Sequence, residues 1–142
     1  MRHAKNPPWY KARIVVKRFQ QKKGVDFDEI FAPLVKMTSI WTVLSIVANI
    51  DLEIEQLDIK TAFLYGDLEE EIYMQRSSLF VKGKEHLVCR LKKSLYRLKK
   101  APRQWYWKFD SFMTDQGYHK TQADHCVFVK KFEGGDFLIL LL

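Results

Sequence analysis

The end of the sequence carries the pattern that most restricts the fold. Two strand-like runs, His125–Phe132 and Phe137–Leu142, flank the tetrapeptide Glu133-Gly134-Gly135-Asp136. Glycines between two such runs favour the backbone angles of a tight hairpin turn, so the sequence predicts two adjacent antiparallel strands. Because the second run is apolar on both faces, we expect it to lie centrally in its sheet, covered on both sides.

Two further segments have the spacing of helices. Thr38 or Ser39 can cap the first helix, whose apolar side chains recur at positions i, i+3, i+4 and i+7. These side chains are Ile40, Val43, Leu44 and Val47. The second helix is expected to begin near Pro102 and to end at Gly117. One face of this helix carries Trp105, Phe109, Phe112 and Gln116.

Strand patterns complete the predicted fold. The segments Tyr10–Phe19, Glu53–Ile59 and His86–Leu91 contain the β-branched and apolar residues that strands favour. Together with the helices they predict an α+β fold, with an antiparallel sheet and flanking helices. The 142 residues fit one domain, and a content of 47% hydrophobic and 14% aromatic residues is typical of a folded protein.

The sequence shows no sign of export or membrane insertion. No apolar run follows Met1, so a secretory signal is not expected, and Phe137–Leu142 is too short to cross a bilayer. Cys89 and Cys126 form no paired-cysteine motif, which indicates neither a disulfide framework nor a zinc site. We therefore expect an intracellular protein, cytoplasmic or nuclear, without a membrane partner.

Positive charge is concentrated in one fifth of the chain. Residues 82–108, the basic block, hold ten lysine or arginine residues and one acid, Glu85, within a chain of net charge +7. Such a block suits the phosphate backbone of a nucleic acid, and a solvated surface with clustered cations explains it equally well. The candidate nucleic-acid-binding residues are Lys92, Lys93, Lys99, Lys100 and Arg103.

Asp58 follows a short apolar segment and precedes Phe63 by five positions. An aspartate after a strand is most often a turn or helix cap. The alternative is a metal ligand, because nucleotidyl transfer by two Mg²⁺ ions places carboxylates around the metals. Phe63 would then stand where it can contact the ribose 2′ position of a nucleotide, whereas by itself it would be read as a core aromatic residue.

Two other segments combine residue types that bind anions. Lys11 and Arg13 alternate on a predicted strand, so both can face one anionic ligand, or they can discourage association at an exposed edge. The segment from Ser94 to Trp105 mixes cations with aromatic residues, among them Tyr96. Those aromatic side chains either stack on nucleotides or form the core at the start of a helix.

These segments, in this order and spacing, closely resemble the reverse transcriptase domain of copia-type long-terminal-repeat retrotransposons, over nearly the whole chain. The most specific stretches are Asp26-Phe27-Asp28-Glu29-Ile30-Phe31-Ala32-Pro33, Gln56–Asp67, Cys89–Tyr96 and Ala101-Pro102-Arg103-Gln104-Trp105. The resemblance implies the fingers and palm of a right-hand polymerase. It also implies a reaction that extends a DNA primer on an RNA template, using deoxynucleoside triphosphates and Mg²⁺.

The resemblance assigns a role to each candidate residue. Asp58 matches the first catalytic aspartate, which is a metal ligand, and Phe63 resembles the steric gate that discriminates between sugars. Lys11 and Arg13 lie where the family neutralises the incoming triphosphate. Tyr96 lies in the loop and helix start that flank the nucleotide and the template.

The chain also departs from the family pattern. The family follows the apolar strand at Leu138–Leu142 with Tyr-Val-Asp-Asp, which supplies the other metal-binding aspartates, and the 142 residues contain neither that motif nor a thumb. Arg97 stands where the family generally has glycine. We therefore expect residues 1–142 to be a partial reverse transcriptase domain that is inactive by itself. The alternatives are an inactive nucleic-acid-binding module that uses the basic block, and a truncated remnant that does not fold stably.

Overall fold

The computed structural model describes residues 9–68, 70–75, 83 and 87–142. In these residues helices are mixed with antiparallel strands, so the predicted α+β class is confirmed. The helices are α1 (Met37–Ile50) and α2 (Ala101–Asp115). The strands are β1 (Tyr73–Gln75), β2 (Val88–Arg90), β3 (His119–Lys120), β4 (Val127–Lys131) and β5 (Phe137–Leu141). Short 3₁₀ turns lie at Arg18–Gln20 and Ala62–Tyr65.

The predicted C-terminal hairpin is confirmed. β4 and β5 pair antiparallel, with Lys131 opposite Phe137, and β3 lies on the other side of β4. Gly134 and Gly135 adopt φ angles of 106° and 98°, which glycine reaches without steric cost. The predicted central position of the second strand is wrong within the described residues, because β5 pairs with β4 alone. The strand therefore stands at the edge of the sheet, and Leu138 is exposed.

α2 packs on this sheet and forms the larger core of the described residues. Phe109 and Met113 of α2 are buried against Phe128 of β4, which is wholly buried. The rings of Phe109 and Phe128 meet edge to face with centroids 5.6 Å apart. Trp105 adds a second ring contact, 5.7 Å from Phe109. Such aromatic pairs stabilise a core beyond the apolar area that they bury.

The predicted face of α2 is correct in part. Trp105 and Phe109 face the sheet as expected, but the next inward residue is Met113, so Phe112 points outward and is 59% exposed. The helix ends as predicted at Gly117, which has a φ of 80°. There the amide of Tyr118 donates a hydrogen bond to the carbonyl of Met113, as in a Schellman cap.

A smaller core joins the start of α2 to β1. Leu98, Ala101 and Ile72 are buried together. Gly66 lets the 3₁₀ turn Ala62–Tyr65 approach α2, because a Cβ atom there would lie 3.0 Å from the Cβ of Gln104. The carbonyl of Gly66 accepts a hydrogen bond of 3.0 Å from the amide of Ser94. The segment that leads into α2 is therefore held both by the hydrogen bond of Ser94 and by the packing of Leu98.

The helix α1 is confirmed, but its cap comes from a distant residue. Lys36 precedes the helix without a side-chain cap. Its amide instead donates to Oδ2 of Asp124, 88 residues away, at 2.8 Å, and Oδ1 accepts from the amide of Cys126 at 3.0 Å. A further hydrogen bond from Ser39 and the bond from the Lys36 amide hold the pKa of Asp124 below its usual range. Asp124 thus ties α1 to the sheet.

Two of the predicted strands are wrong. Segment Tyr10–Phe19 contains one isolated bridge, between Val15 and Tyr96, and its end turns into the 3₁₀ helix. Segment Glu53–Ile59 forms no strand in the described residues. A strand needs a hydrogen-bonded neighbour, so strand propensity alone does not form one. The predicted strand at His86–Leu91 is confirmed as β2, except that His86 lies outside the described residues.

Ion pairs connect the acidic residues 67–71 to the basic block. Nζ of Lys108 lies 2.7 Å from a carboxylate oxygen of Asp67, and this hydrogen bond lowers the pKa of Asp67. Lys100 pairs with Glu70, and its side chain is only 6% exposed. An exposed pair joins Arg90 to Glu71 at 2.8 Å. In the part of the chain that the structure describes, no helix is long and apolar enough to cross a membrane.

We expect the contribution of Asp124 to disappear in acid. Because its folded-state pKa is lowered, the carboxylate stabilises the fold above its unfolded pKa of about 3.9, and the stabilisation is lost as the pH falls through the lower folded value. Asp124→Asn should lower the free energy of unfolding by about 1–3 kcal/mol at neutral pH. Urea denaturation at several pH values should show this difference shrinking below about pH 4.

The exposed carboxylate of Asp115 provides the control for this experiment. Asp115→Asn should change the free energy of unfolding by less than about 0.5 kcal/mol at every pH. A difference for Asp124→Asn that grows in acid would contradict the assigned role. The cooperative transition that these measurements need would also contradict the alternative of a remnant that does not fold stably.

The ion pair between buried Lys100 and exposed Glu70 makes an asymmetric prediction. Glu70→Gln leaves a buried ammonium without its counter-charge and should lower the free energy of unfolding by about 1–3 kcal/mol. Lys100→Met removes the buried charge and keeps an apolar chain of similar length, so it should cost less. Glu71→Gln, at the exposed pair, should change stability by at most about 1 kcal/mol. These losses in the free energy of unfolding are measured by urea denaturation at neutral pH. If their order were reversed, the burial of Lys100 would not explain the contribution of the pair to stability.

Candidate functional site

Asp58 lies at the surface, near the end of the non-helical segment that follows α1. It is exposed and makes no hydrogen bond or ion pair within the described residues. The turn-cap alternative therefore has no support in the structure. Thr61, with a φ of 60°, leads into the 3₁₀ turn that carries Phe63, and Phe63 is 39% exposed. Phe63 is therefore not a member of either core.

The carboxylates of the described residues do not fit a two-metal site. No group of three or more His, Cys, Asp or Glu side chains is arranged to hold a metal ion in the parts of the chain that the structure describes. Asp58 is an open, unpaired carboxylate that can contribute to such a site. By itself it does not supply the oxygen ligands that Mg²⁺ ions require.

The structure brings two of the predicted nucleotide-binding segments together. The amide of Val16 donates a hydrogen bond of 3.0 Å to the carbonyl of Tyr96, beside the bridge between Val15 and Tyr96. Tyr96 is half-buried, whereas Lys11 and Arg13 are exposed on the segment that leads to this contact. Lys11 and Arg13 therefore lie on the segment whose backbone pairs with the loop that carries Tyr96.

Gln21 fastens this loop with three hydrogen bonds. Its side-chain amide donates to the carbonyl of Arg97 at 3.1 Å and accepts from the amide of Lys99 at 2.9 Å. The ammonium of Lys99 returns a bond of 3.2 Å to the backbone carbonyl of Gln21. Lys99 also lies 4.2 Å from the ring centroid of Phe27, within the range of a cation–π interaction.

Arg97 adopts the backbone conformation that glycine favours. Its φ is 66°, in the left-handed region, and its side chain is exposed. This region costs a non-glycine residue about 1–2 kcal/mol. The backbone at Arg97 therefore has the conformation expected for the glycine that the resemblance places there. The hydrogen bond from Gln21 to the carbonyl of Arg97 helps to hold this conformation.

The five predicted nucleic-acid-binding cations fall into two groups. Lys92 and Lys93 are exposed and have no carboxylate partner within 4 Å among the described residues. Lys99, Lys100 and Arg103 are engaged inside the molecule. Lys99 and Lys100 make the contacts given above, while Arg103 pairs with Glu29 and lies 4.4 Å from the ring centroid of Trp107. Lys82 and Lys84 of the basic block lie outside the described residues.

Sequence reasoning identified only Lys11 and Arg13 of a second group of exposed cations. Residues 9–25 contain six lysine or arginine residues and no acid, a signal that a count over the whole chain would have found. The six cations are Lys11, Arg13, Lys17, Arg18, Lys22 and Lys23. The same segment contains three aromatic side chains that are largely exposed: Trp9 (82%), Tyr10 (86%) and Phe19 (82%).

Comparison with known proteins gives a family and several relatives. The family model described as reverse transcriptase (RNA-dependent DNA polymerase) matches residues 2–142. The retrovirus-related Pol polyprotein from transposon TNT 1-94 of Nicotiana tabacum is 67% identical over 134 residues, which cover 94% of this chain and 10% of that protein. The corresponding polyprotein from transposon RE2 of Arabidopsis thaliana is 41% identical over 121 residues, which cover 84% of the chain and 8% of that protein.

More distant relatives extend the same group. The transposon Ty1-BL Gag-Pol polyprotein of Saccharomyces cerevisiae is 32% identical over 120 residues, which cover 84% of this chain and 7% of that protein. No solved structure matches the chain. The chain spans a tenth or less of the length of these relatives. Because the family match covers almost every residue, the chain belongs to the reverse transcriptase (RNA-dependent DNA polymerase) family, as a domain segment of the kind found in copia-type retrotransposon Pol polyproteins.

Proposed function

We propose that residues 1–142 form the fingers and palm part of an RNA-directed DNA polymerase. The observation that carries the proposal is the family match over residues 2–142, together with 67% identity to a retrotransposon Pol polyprotein. The partners proposed on this basis are an RNA template, a DNA primer and deoxynucleoside triphosphates. At such high identity the residues at matching positions are expected to share their roles.

The exposure of the candidate residues supports a nucleotide site that they would share. Asp58 presents an unpaired carboxylate at the surface, and Phe63 stands on the next turn with part of its ring exposed. Lys11 and Arg13 offer cations for phosphates on the segment that pairs with the Tyr96 loop. We propose that Asp58 is a metal ligand, that Phe63 contacts the sugar, and that the two cations and Tyr96 contact the nucleotide.

A lone carboxylate does not hold the two Mg²⁺ ions expected for the family, because paired metals need several carboxylate ligands between them. We therefore propose that residues 1–142 by themselves do not catalyse nucleotidyl transfer, and that Asp58 acts with carboxylates outside the described residues. The described residues contribute one exposed carboxylate, at Asp58, and separately the exposed cations Lys11 and Arg13 on the segment that pairs with Tyr96.

Primer extension tests the proposed inactivity. Purified 142-residue chain, mixed with a primed RNA template, deoxynucleoside triphosphates and Mg²⁺, should give no DNA product above that of the template alone. An active retroviral reverse transcriptase in the same mixture verifies the assay. Template-dependent synthesis that is lost in Asp58→Ala would contradict the proposed inactivity and would establish the role of Asp58 at the same time.

A second candidate function is a nucleic-acid-binding module without catalysis. The observation that favours it is that Lys92 and Lys93 are exposed and form no ion pair within 4 Å in the described residues, although Lys93 lies near Asp67 and, after Lys108, helps to lower the pKa of that carboxyl. Counter-ions released from phosphates make such binding weaken steeply with salt. This candidate does not need a complete metal site.

Binding of a labelled RNA, followed by fluorescence anisotropy across a salt titration, tests this candidate. The variant Lys92→Gln/Lys93→Gln should weaken binding and reduce the slope of log K against log salt by about 1.4. Arg103→Gln, which removes a cation already paired with Glu29, should leave the slope nearly unchanged. A chain that is indifferent to RNA at low ionic strength would exclude the module.

A further inference from the structure

We propose that the outer face of α2 carries a docking site for a short basic peptide segment of a partner protein. The site is an open cleft of about 480 Å³ between the helix and Asp67, which we call the α2 cleft. The side chains of the helix that shape its chemistry are Gln104, Trp107, Lys108, Phe112 and Asp115. The proposal goes beyond the proposed polymerase function and does not depend on it, because no candidate nucleotide-binding residue lines the cleft.

The α2 cleft follows one side of the helix. Its helical lining residues recur three or four positions apart, from Gln104 to Asp115, as side chains on one helix face do. Phe109 and Met113 occupy the face that packs on the sheet. Eleven rises of 1.5 Å make the stripe about 17 Å long, the length of about five residues of extended peptide. The stripe is therefore long enough to hold a short extended segment.

Two exposed aromatic rings stand in the cleft. Phe112 and Trp107 are both exposed, and the guanidinium group of Arg103 lies 4.4 Å from the ring centroid of Trp107. Large apolar side chains that lie exposed among polar ones are typical of interaction sites. Such rings cover the apolar part of a bound side chain and attract a cation to their faces. They therefore favour an apolar side chain or a lysine or arginine as the ligand.

Gln104 provides a buried polar group without a partner. The residue is only 9% exposed and lines the cleft, yet its side-chain amide makes no hydrogen bond within the described residues. A side-chain amide offers both donors and an acceptor, and leaving a buried amide unpaired is unfavourable. A peptide group supplies an acceptor and a donor in return, whereas a phosphate supplies acceptors and an ammonium group supplies donors. The amide therefore favours a peptide backbone.

The charges of the cleft favour a basic ligand. Lys108 is already paired with Asp67 at 2.7 Å, which leaves Asp115 exposed and without a partner in the described residues. The last turn of α2 contains no basic residue, and Lys130 of β4 bonds at 2.8 Å to the carbonyl of Gln116. A carboxylate near the C-terminus of a helix is unfavourable, and a cation of the ligand would relieve it. Phosphates would be repelled by the same carboxylate.

Fluorescence anisotropy with the complete 142-residue chain tests the docking site. The probe is a fluorescein-labelled pentapeptide of alternating leucine and lysine, and a leucine–glutamate peptide of the same length should not bind. Phe112→Ala should weaken binding of the lysine peptide about tenfold, because a buried ring is lost. Asp115→Asn should weaken it by up to about fivefold. The matched controls Phe19→Ala and Asp51→Asn lie outside the cleft and should bind like the unchanged chain.

Two further variants separate the role of each polar group. Lys108→Gln releases the carboxylate of Asp67, so binding of the lysine peptide should become stronger, by up to about fivefold. Gln104→Met keeps the length of the side chain but removes the amide, and should weaken binding about threefold to tenfold. Because the amide is unpaired, Gln104→Met should not lower the free energy of unfolding in urea. Circular dichroism of each variant verifies that α2 persists.

The outcomes decide between possible occupants of the cleft. Weaker peptide binding in Lys108→Gln, or no binding of the lysine peptide to the unchanged chain, would overturn the proposal. Labelled RNA whose binding depends on Phe112 and Asp115 would assign the cleft to nucleic acid and would also overturn it. So would self-association in sedimentation experiments that Phe112→Ala abolishes, because a second copy would then fill the cleft. Opposite effects of Asp115→Asn and Lys108→Gln, with both controls unchanged, support it whether or not the chain catalyses primer extension.

Discussion

Pairing between the acidic residues 67–71 and the basic block holds the middle of the molecule together. Lys100 is almost fully buried, and burial of an ammonium group is unfavourable unless a counter-charge accompanies it. Glu70 provides that charge and so keeps the chain before β1 close to the start of α2. The buried contact of Ile72 with Leu98 and Ala101 forms beside this pair. The loop 92–99 leads directly into Lys100, so its position depends on the same interaction.

This pairing also decides where the molecule presents positive charge. The basic block contains ten of the chain's lysine and arginine residues, but Arg90, Lys100 and Lys108 pair with acidic residues of the segment 67–71 and Arg103 pairs with Glu29. Residues 9–23 have no acidic segment against them in the described residues. A charge count along the sequence therefore does not show which cations stay unpaired, because it cannot detect ion pairs between distant segments.

The parts of the fold that could be predicted are those whose signals are local. The hairpin was predicted from the glycines of its own turn, and the end of α2 from Gly117. The helix α1 was predicted from the spacing of its own apolar residues. The failures involve distant partners. Segment Glu53–Ile59 has the composition of a strand but no neighbour to pair with among the described residues, and the cap of α1 comes from Asp124. For the site, the sequence indicated Asp58 and Phe63 by their spacing, yet it could not show that Lys100 is buried.

Arg97 holds a backbone conformation that glycine favours, at a position where the resemblance leads us to expect glycine. A glycine in the left-handed region can be replaced at a cost of about 1–2 kcal/mol, and the two side-chain hydrogen bonds of Gln21 hold the backbone in that conformation. Because the side chain of Arg97 is exposed, it does not fill the core around Leu98. Arg97 instead adds an exposed cation to the loop that also carries Lys92 and Lys93. An arginine in this conformation is therefore compatible with an intact loop, with its guanidinium group at the surface.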